Sequence, residues 1–349
     1  MKRNYYLTAL LLVAFSLFAQ EKKVDSYKIM FYNTENLFDC ENDPHTNDDD
    51  FTPQGSYRWN YSRYSQKLEN IAKVVTSIGG WEPPALIGLC EIENRGVLND
   101  LTKKSSLKVM RYEIVHRESP DPRGIDVALL YKPDKFRVIS EKFYQVKNPQ
   151  TGSIRTREVL YAAGIIPNGD TLHVFVCHFP SRLGGEMESE DKRLAAAAVV
   201  RERVDSLFSV TADANIIIMG DFNDYPTNKS ISEVIGAKPL TQNVSATDMY
   251  NLFYKYHNDG KIGTHKFGGE WGVLDQMIVS GNLLNKEKNI YTYQENIKIY
   301  DADFLLEDDR KFLGKKPFRT YIGFKFNGGF ADHLPIIVTF DMVIKKRDY

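Results

Sequence analysis

The sequence predicts one α/β domain in four layers: two packed mixed β-sheets flanked by helices on their outer faces. Three observations predict it. Short apolar runs of strand type recur from residue 27 to residue 340. Helical patterns lie between them, and no repeat, linker or low-complexity stretch divides the chain. Strands and helices that interleave without a boundary pack as layers around one core.

The strand-like runs are 27–33 (YKIMFYN), 85–92 (ALIGLCEI), 112–117 (YEIVHR), 126–132 (DVALLYK) and 171–179 (TLHVFVCHF), followed by 215–223 (NIIIMGDFN), 273–280 (VLDQMIVS) and 334–340 (LPIIVTF). Several are almost wholly apolar, the pattern of strands covered on both faces; others alternate, as half-covered strands do. Residues 61–78 place Leu68, Ile71, Ala72, Val75 and Ile78 near helical spacing. Residues 190–208 do the same with Leu194, Ala197, Val200, Val204 and Leu207.

Residues 1–19 read as a secretory signal peptide: Lys2 and Arg3, then thirteen mostly apolar residues (6–18), then Ala19 before a charged stretch. That run is short of the ~20 residues a membrane span needs, so no stable membrane anchor is expected; an uncleaved anchor is the alternative. The domain proper is expected over 25–345, periplasmic or secreted, as a monomer with no obligate protein partner. The 349-residue chain carries 45 basic and 46 acidic residues; without Lys2 and Arg3 its net charge is −3. Such a balance excludes nonspecific coating of nucleic acid but leaves room for a local basic cleft. Cys40, Cys90 and Cys177 are odd in number, and Cys90 and Cys177 sit in apolar runs as buried small hydrophobes rather than a disulfide.

Polar residues that are costly to bury collect at the ends of the apolar strands. They are Asn33 and Glu35 (FYNTENLF), Glu91 (GLCEIEN), His178 (CHFPSR), Asp221 and Asn223 (GDFND), Asp275 (VLDQM), and Asp332 and His333 (ADHLP). One Asp or Asn after a strand is a turn former. Carboxylates, amides and two histidines repeated at strand ends are instead the groups that hold a hard cation and a phosphate. Oxygen donors suit Mg²⁺ or Mn²⁺, with Ca²⁺ possible, and clustered His/Cys spacing for structural zinc is missing. Arg182 (HFPSR) and Arg123 (DPRGID) offer bidentate phosphate contact, against a surface salt bridge as the plain alternative.

These motifs, in this order from about Tyr27 to Phe340, resemble the endonuclease/exonuclease/phosphatase superfamily with its DNase I-like fold. The resemblance implies Glu91 as principal metal carboxylate, with Asn33 and Glu35 completing or hydrogen-bonding the shell and Asp332 beside the metal. It implies His333 as the catalytic histidine, oriented by Asp275. Asp221 would handle protons and Asn223 would donate a hydrogen bond to the phosphate. His178 matches a position that is His in DNase I-like members, and Arg157 (TRE) more loosely matches a phosphate-contacting arginine.

The acidic loop with Glu41, Asp43 and Asp48 to Asp50 reads as solvated chain, with Ca²⁺ binding as the alternative; residues 301–309 read the same way. The aromatic segment 316–330 leads into Asp332-His333 and so borders the site, as groove lining or as packing. The expected function is metal-dependent phosphoester hydrolysis, with nucleic acid as first substrate and lipid head groups or phosphorylated small molecules as the alternative. A non-catalytic module on the same fold would have lost Glu91, Asp221, Asn223 or His333, and all four are present.

Overall fold

The computed structural model describes residues 23–344 apart from Trp81, residues 149–151, Leu183 and Gln242. The signal-peptide reading of residues 1–19 lies outside the described residues. No helix among the described residues is long and apolar enough to cross a membrane.

Two seven-stranded mixed sheets face one another. The first is centred on the strands Lys23–Leu37 and Leu86–Ile92, which pair in parallel. The C-terminal strand Ile336–Ile344 runs antiparallel on one side of that pair, and Asp126–Tyr131 with Glu113–His116 lies on the other. The second sheet is centred on the parallel pair Thr171–His178 and Asn215–Asp221. It continues through Asp275–Ser280 in one direction and through Val159–Ile165 to the edge strand Arg137–Tyr144 in the other. The inner faces meet closely at Gly88, where an added Cβ would lie 2.9 Å from Met219 Sδ of the opposite sheet. No larger residue fits there unless the sheets part.

The helix Tyr61–Gly79 begins because the Asn60 side chain accepts from the N–H groups of Ser62 and Arg63, and ends at Gly80, which takes a left-handed φ of 53°. Leu68, Ile71, Ala72, Val75 and Ile78 are all buried, as the spacing predicts. The second long helix, Glu186–Val210, starts four residues before its apolar pattern. It buries Ala195, Ala196, Ala197, Val200 and Val204 against the second sheet, whereas Leu194 and Leu207 are only half-buried. A short helix, Arg95–Lys103, was not anticipated; Asn94 caps it by accepting from the Val97 N–H. Cys40, Cys90 and Cys177 are buried free thiols.

Two strands of the second sheet carry no signal that the sequence reading used. Val159–Ile165 (VLYAAGI) holds two alanines and a glycine, weak strand formers that work here because the strand is covered on both faces. Arg137–Tyr144 (RVISEKFY) is an exposed edge whose charges blunt further pairing. The acidic loop is not simply solvated chain. Asp48 is buried and accepts the Asp43 N–H, and the 3₁₀ turn Asp49–Phe51 stacks Phe51 between Phe38 and Tyr57. Asp309 is likewise buried, paired with Lys266 at 3.1 Å.

Candidate active site

The site lies where the ends of the central strands of both sheets converge. On the first sheet the chain turns abruptly after Asn33, with left-handed backbone at Glu35 (φ 52°) and Asn36 (φ 56°), and again at Glu91 (φ 60°). With Asn223 (φ 50°), four of the seven non-glycine left-handed residues sit here. Such conformations persist only where the surroundings enforce them, and they cluster at functional sites. The bonds that enforce them are visible. The Asn36 N–H donates to Glu91 Oε2 at 2.9 Å, and the Glu35 N–H to Asn33 Oδ1 at 2.9 Å. Asn33 Nδ2 reaches across the inter-sheet gap to Asp221 Oδ2 at 3.0 Å, with Glu91 Oε1 at 3.4 Å.

On the second sheet, strand register does the positioning. Asp221 pairs with His178 on one neighbour and with Asp275 on the other, so three residues from distant stretches stand in one row. His333, which lies in the loop 327–335 that leads into the strand Ile336–Ile344, completes the row from above: its Nδ1 lies 2.6 Å from Asp275 Oδ2 and its Nε2 3.9 Å from Asp221 Oδ2. His178 Nε2 lies 3.7 Å from the same Asp221 oxygen and 4.0 Å from Glu91 Oε1. Asn223 holds Asp221 Oδ1 with its backbone N–H at 2.9 Å, while its side chain donates to the Phe179 carbonyl at 3.0 Å. Asn33, Glu35, Glu91, His178, Asp221, Asp275 and His333 are thus brought together, with Asp332 and Asn223 at the margin.

Burial acts on these groups in opposite senses. Asp221 is pushed up to about 6, chiefly by desolvation and against the opposing pull of His333. Desolvation also raises Glu35, aided by Asp332. For His333 burial works against the charge, but Asp275 and Asp221 outweigh it and hold the imidazole well above its ordinary range. His178 goes the other way: burial, then Arg157 and Arg123, hold it well below that range, and its Nδ1 is buried without a partner. Burial and neighbouring charge therefore bias the two imidazoles of one site in opposite directions.

The arginines expected to meet substrate phosphate are otherwise engaged. Arg157 is buried and donates to the carbonyls of His178 and Phe179 and to Asp121 at 2.8 Å. It braces the strand end beneath His178, and no face of its guanidinium is open. Arg182 donates to the Asn223 carbonyl at 2.7 Å and binds Glu186, Asp224 and Asn228, its guanidinium over the Tyr225 ring. Arg123 lies 3.5 Å from Asp121. The arginine that does border the site is Arg319, 41% exposed, donating from Nε to Glu35 at 3.0 Å and from Nη2 to Asp332 at 3.0 Å. In the sequence it lies unmarked within the aromatic segment 316–330. Lys67 was also missed, though its place between Tyr64 and Leu68 puts it on the apolar face of its helix. It is buried, donates to Thr320 Oγ1 and the Phe330 carbonyl, and burial pulls it down to about 8. Both residues pin segment 316–330 beside the site.

That segment forms one small hairpin, 321–322 with 325–326, its start pairs back with 306–308, and it walls off a cavity of about 150 Å³ with Phe51, Tyr57 and Trp59. Arg319 separates it from a second cavity of about 220 Å³ that reaches Asp332, Lys311 and Lys316. A larger cavity, about 910 Å³, lies elsewhere, between the edge strand and the helix Glu186–Val210, and no site residue lines it.

The donor set fits a hard divalent cation. Glu91 and Asn33 place oxygens on the rim of the site, and Glu35, whose own oxygens are held by Arg319 and the Thr320 N–H, braces it. Among the described residues, groups of His, Cys and carboxylate within metal-binding reach occur only here: Cys90, His178 and Asp221; Asp221, Asp275 and His333; and His265, Asp332 and His333.

Two facing mixed sheets with such a rim define a metal-assisted phosphoesterase scaffold. A sequence profile described as the endonuclease/exonuclease/phosphatase family matches residues 28–342, and the chain belongs to that family, whose members are divalent-metal-dependent phosphoester hydrolases. No curated protein matches it by sequence. Among solved structures, an endonuclease/exonuclease/phosphatase family protein from Bacteroides thetaiotaomicron is similar at TM-score 0.56 and 15% identity, covering 92% of this chain and 99% of that one. The human Nocturnin catalytic domain with bound sulfate is similar at 0.53 and 12%, covering 92% and 98%. A mannosyl-6-phosphatase from Bacteroides thetaiotaomicron is similar at 0.54 and 16%, covering 89% and 98%. At these identities the likeness is one of fold.

Proposed function

We propose that this chain is an exported phosphoesterase that acts on small phosphoesters, or on the exposed ends of longer ones, with Mg²⁺ or Mn²⁺. The engagement of Arg157 and Arg182 inside the protein carries this reading. A nuclease that grips a strand needs several free cations along the backbone. Here Arg319 is the arginine left at the site, beside a cavity of about 150 Å³. The leader-like residues 1–19 support export.

Glu91 leads the proposed metal shell, with Asn33 and Glu35 supporting it and Asp332 alongside. A bound divalent cation would polarise a phosphoryl oxygen and offset the charge that develops on it. The protein's own groups do the rest. His333, held cationic between Asp275 and Asp221, turns its Nε2–H toward a nonbridging oxygen. Asp221, poised near 6, takes a proton from the attacking water, its Oδ1 fixed by the Asn223 N–H. This assigns His333 as electrostatic partner and Asp221 as base, a division of labour that the motifs alone left open.

The test is turnover of a panel of sugar phosphates, nucleotides, phospholipid head groups and single- and double-stranded oligonucleotides. Small monoesters or diesters should lead, with weak salt dependence. Nucleic-acid cleavage is the second reading, supported by Lys311, Lys316 and Arg319 along the cavity of about 220 Å³. Oligonucleotide hydrolysis that falls steeply with salt would favour it over the first.

A further inference from the structure

We infer that His265, Asp332 and His333 form a second, inhibitory metal site that takes a borderline-soft dication such as Zn²⁺. The inference rests on the phosphoesterase reading only for the word inhibitory; the binding is independent of it. One nitrogen from each histidine and one carboxylate oxygen of Asp332 lie within 4.8 Å of one another. A tetrahedral zinc with bonds of about 2.1 Å needs its ligands roughly 3.4 Å apart, a closure that side-chain rotation supplies. His333 Nδ1 is held by Asp275, so Nε2 is the atom it offers, and a carboxylate behind a ligating histidine is the usual second-sphere arrangement.

His265 belongs to no motif and has no other evident task. Its ring makes no hydrogen bond within the described structure and sits 4.7 Å from the His333 ring, tilted by 36°. A backbone bridge between the two residues fixes that spacing. The site shares Asp332 and His333 with the proposed catalytic centre but differs from it in chemistry. Two nitrogens and one oxygen with a fourth position open favour Zn²⁺, whereas the oxygen donors around Glu91 favour Mg²⁺. With Nδ1 held by Asp275, a metal on Nε2 occupies the atom of His333 that faces the phosphate, so occupancy stops turnover without displacing Glu91 from its own metal.

The experiment loads chelator-stripped protein with excess Mg²⁺, then titrates Zn²⁺, with Co²⁺ as a spectroscopic probe, in wild type, His265→Phe and His265→Asn. The Phe variant keeps the ring contact with His333; the Asn variant keeps a polar side chain in case Phe misfolds. Wild type should bind one Zn²⁺ alongside Mg²⁺ and give the intense visible bands of tetrahedral Co²⁺. Second-sphere partners alone are worth about 10- to 100-fold in affinity, so loss of a direct ligand should weaken Zn²⁺ binding at least about tenfold and abolish those bands. Mg²⁺-supported turnover should stay within about twofold of wild type, with the inhibiting Zn²⁺ concentration raised by the same factor as the dissociation constant. Unchanged Co²⁺ spectra and Zn²⁺ affinity in both variants would overturn the site. Tight binding with no loss of turnover would overturn its inhibitory role. Absence of any phosphoester turnover would count against the functional reading alone, since the spectra still decide the site.

Discussion

His178 ends one core strand and His333 precedes another; both are buried, and both approach the same Asp221 oxygen within 4 Å. They are nevertheless driven to opposite protonation states. His333 has Asp275 behind it at 2.6 Å and Asp332 beside it in the chain, whereas His178 has an unpartnered Nδ1 and the guanidinium of Arg157 bonded to its own carbonyl. Residue type and burial therefore do not assign the role of a histidine; the sign of charge immediately behind the ring does. The two imidazoles are separable by experiment for the same reason.

The largest expected effect removes the field that both rings share. Exhaustive chelation should abolish turnover and Mg²⁺ or Mn²⁺ should restore it, with Glu91→Ala raising the metal concentration required. Full activity of metal-free protein would refute the metal-assisted mechanism. Next comes His333→Ala, which should lower kcat by roughly 10² to 10⁴. Asp275→Asn should cost less, and the double variant should be about as impaired as His333→Ala, because the two residues act as one unit. Losses that multiply independently would show that Asp275 does not act through His333.

How much of this was legible in the sequence follows from what positions each group. Asp221 and His178 were picked out because they end apolar strands and Asp275 because it opens one, where a polar residue stands out. Their alignment in one row is a matter of register, which one strand's sequence does not encode. His265 and Arg319 were not singled out, because one lies in a short hairpin and the other in the irregular link between two others, where no periodicity marks which way a side chain faces. Arg157 shows the converse error. Its motif was visible, but the buried Asp121 that claims it sits 36 residues away, in a loop without pattern. Val159–Ile165 was missed because its alanines and glycine suit a strand only once both faces are covered.

A smaller effect tests the brace behind His178. Arg157→Met should leave Asp121 buried beside only Arg123, destabilising the fold by about 3–5 kcal/mol, the usual cost of stranding a buried charge. Thermal denaturation measures it. Arg319→Met also takes a partner from a buried carboxyl, but Glu35 keeps the Thr320 N–H and is already held above its ordinary range, so it takes up a proton readily, and Asp332 is partly exposed; the melting temperature should move less. Equal losses in the two variants would mean that Arg157 is not the internal brace its bonds describe.

The smallest effect is a displaced pH profile, and it bears most directly on the contrast between the two rings. If Asp221 is the base, it must be ionised to act, so kcat/KM should rise with pH through about 6. The positive charge of His333 holds that value down, against the desolvation that raises it. Replacing His333 with Gln removes the charge, so the residual activity should rise only at higher pH than in wild type. His178→Gln replaces a ring that is already neutral, so its acidic limb should stay where the wild-type limb lies, whatever happens to the maximum rate. Log kcat/KM against pH for the three proteins, at saturating Mg²⁺, reads this out. An acidic limb that moves with His178→Gln and not with His333→Gln would reverse the assignment, making His178 the charged partner of Asp221.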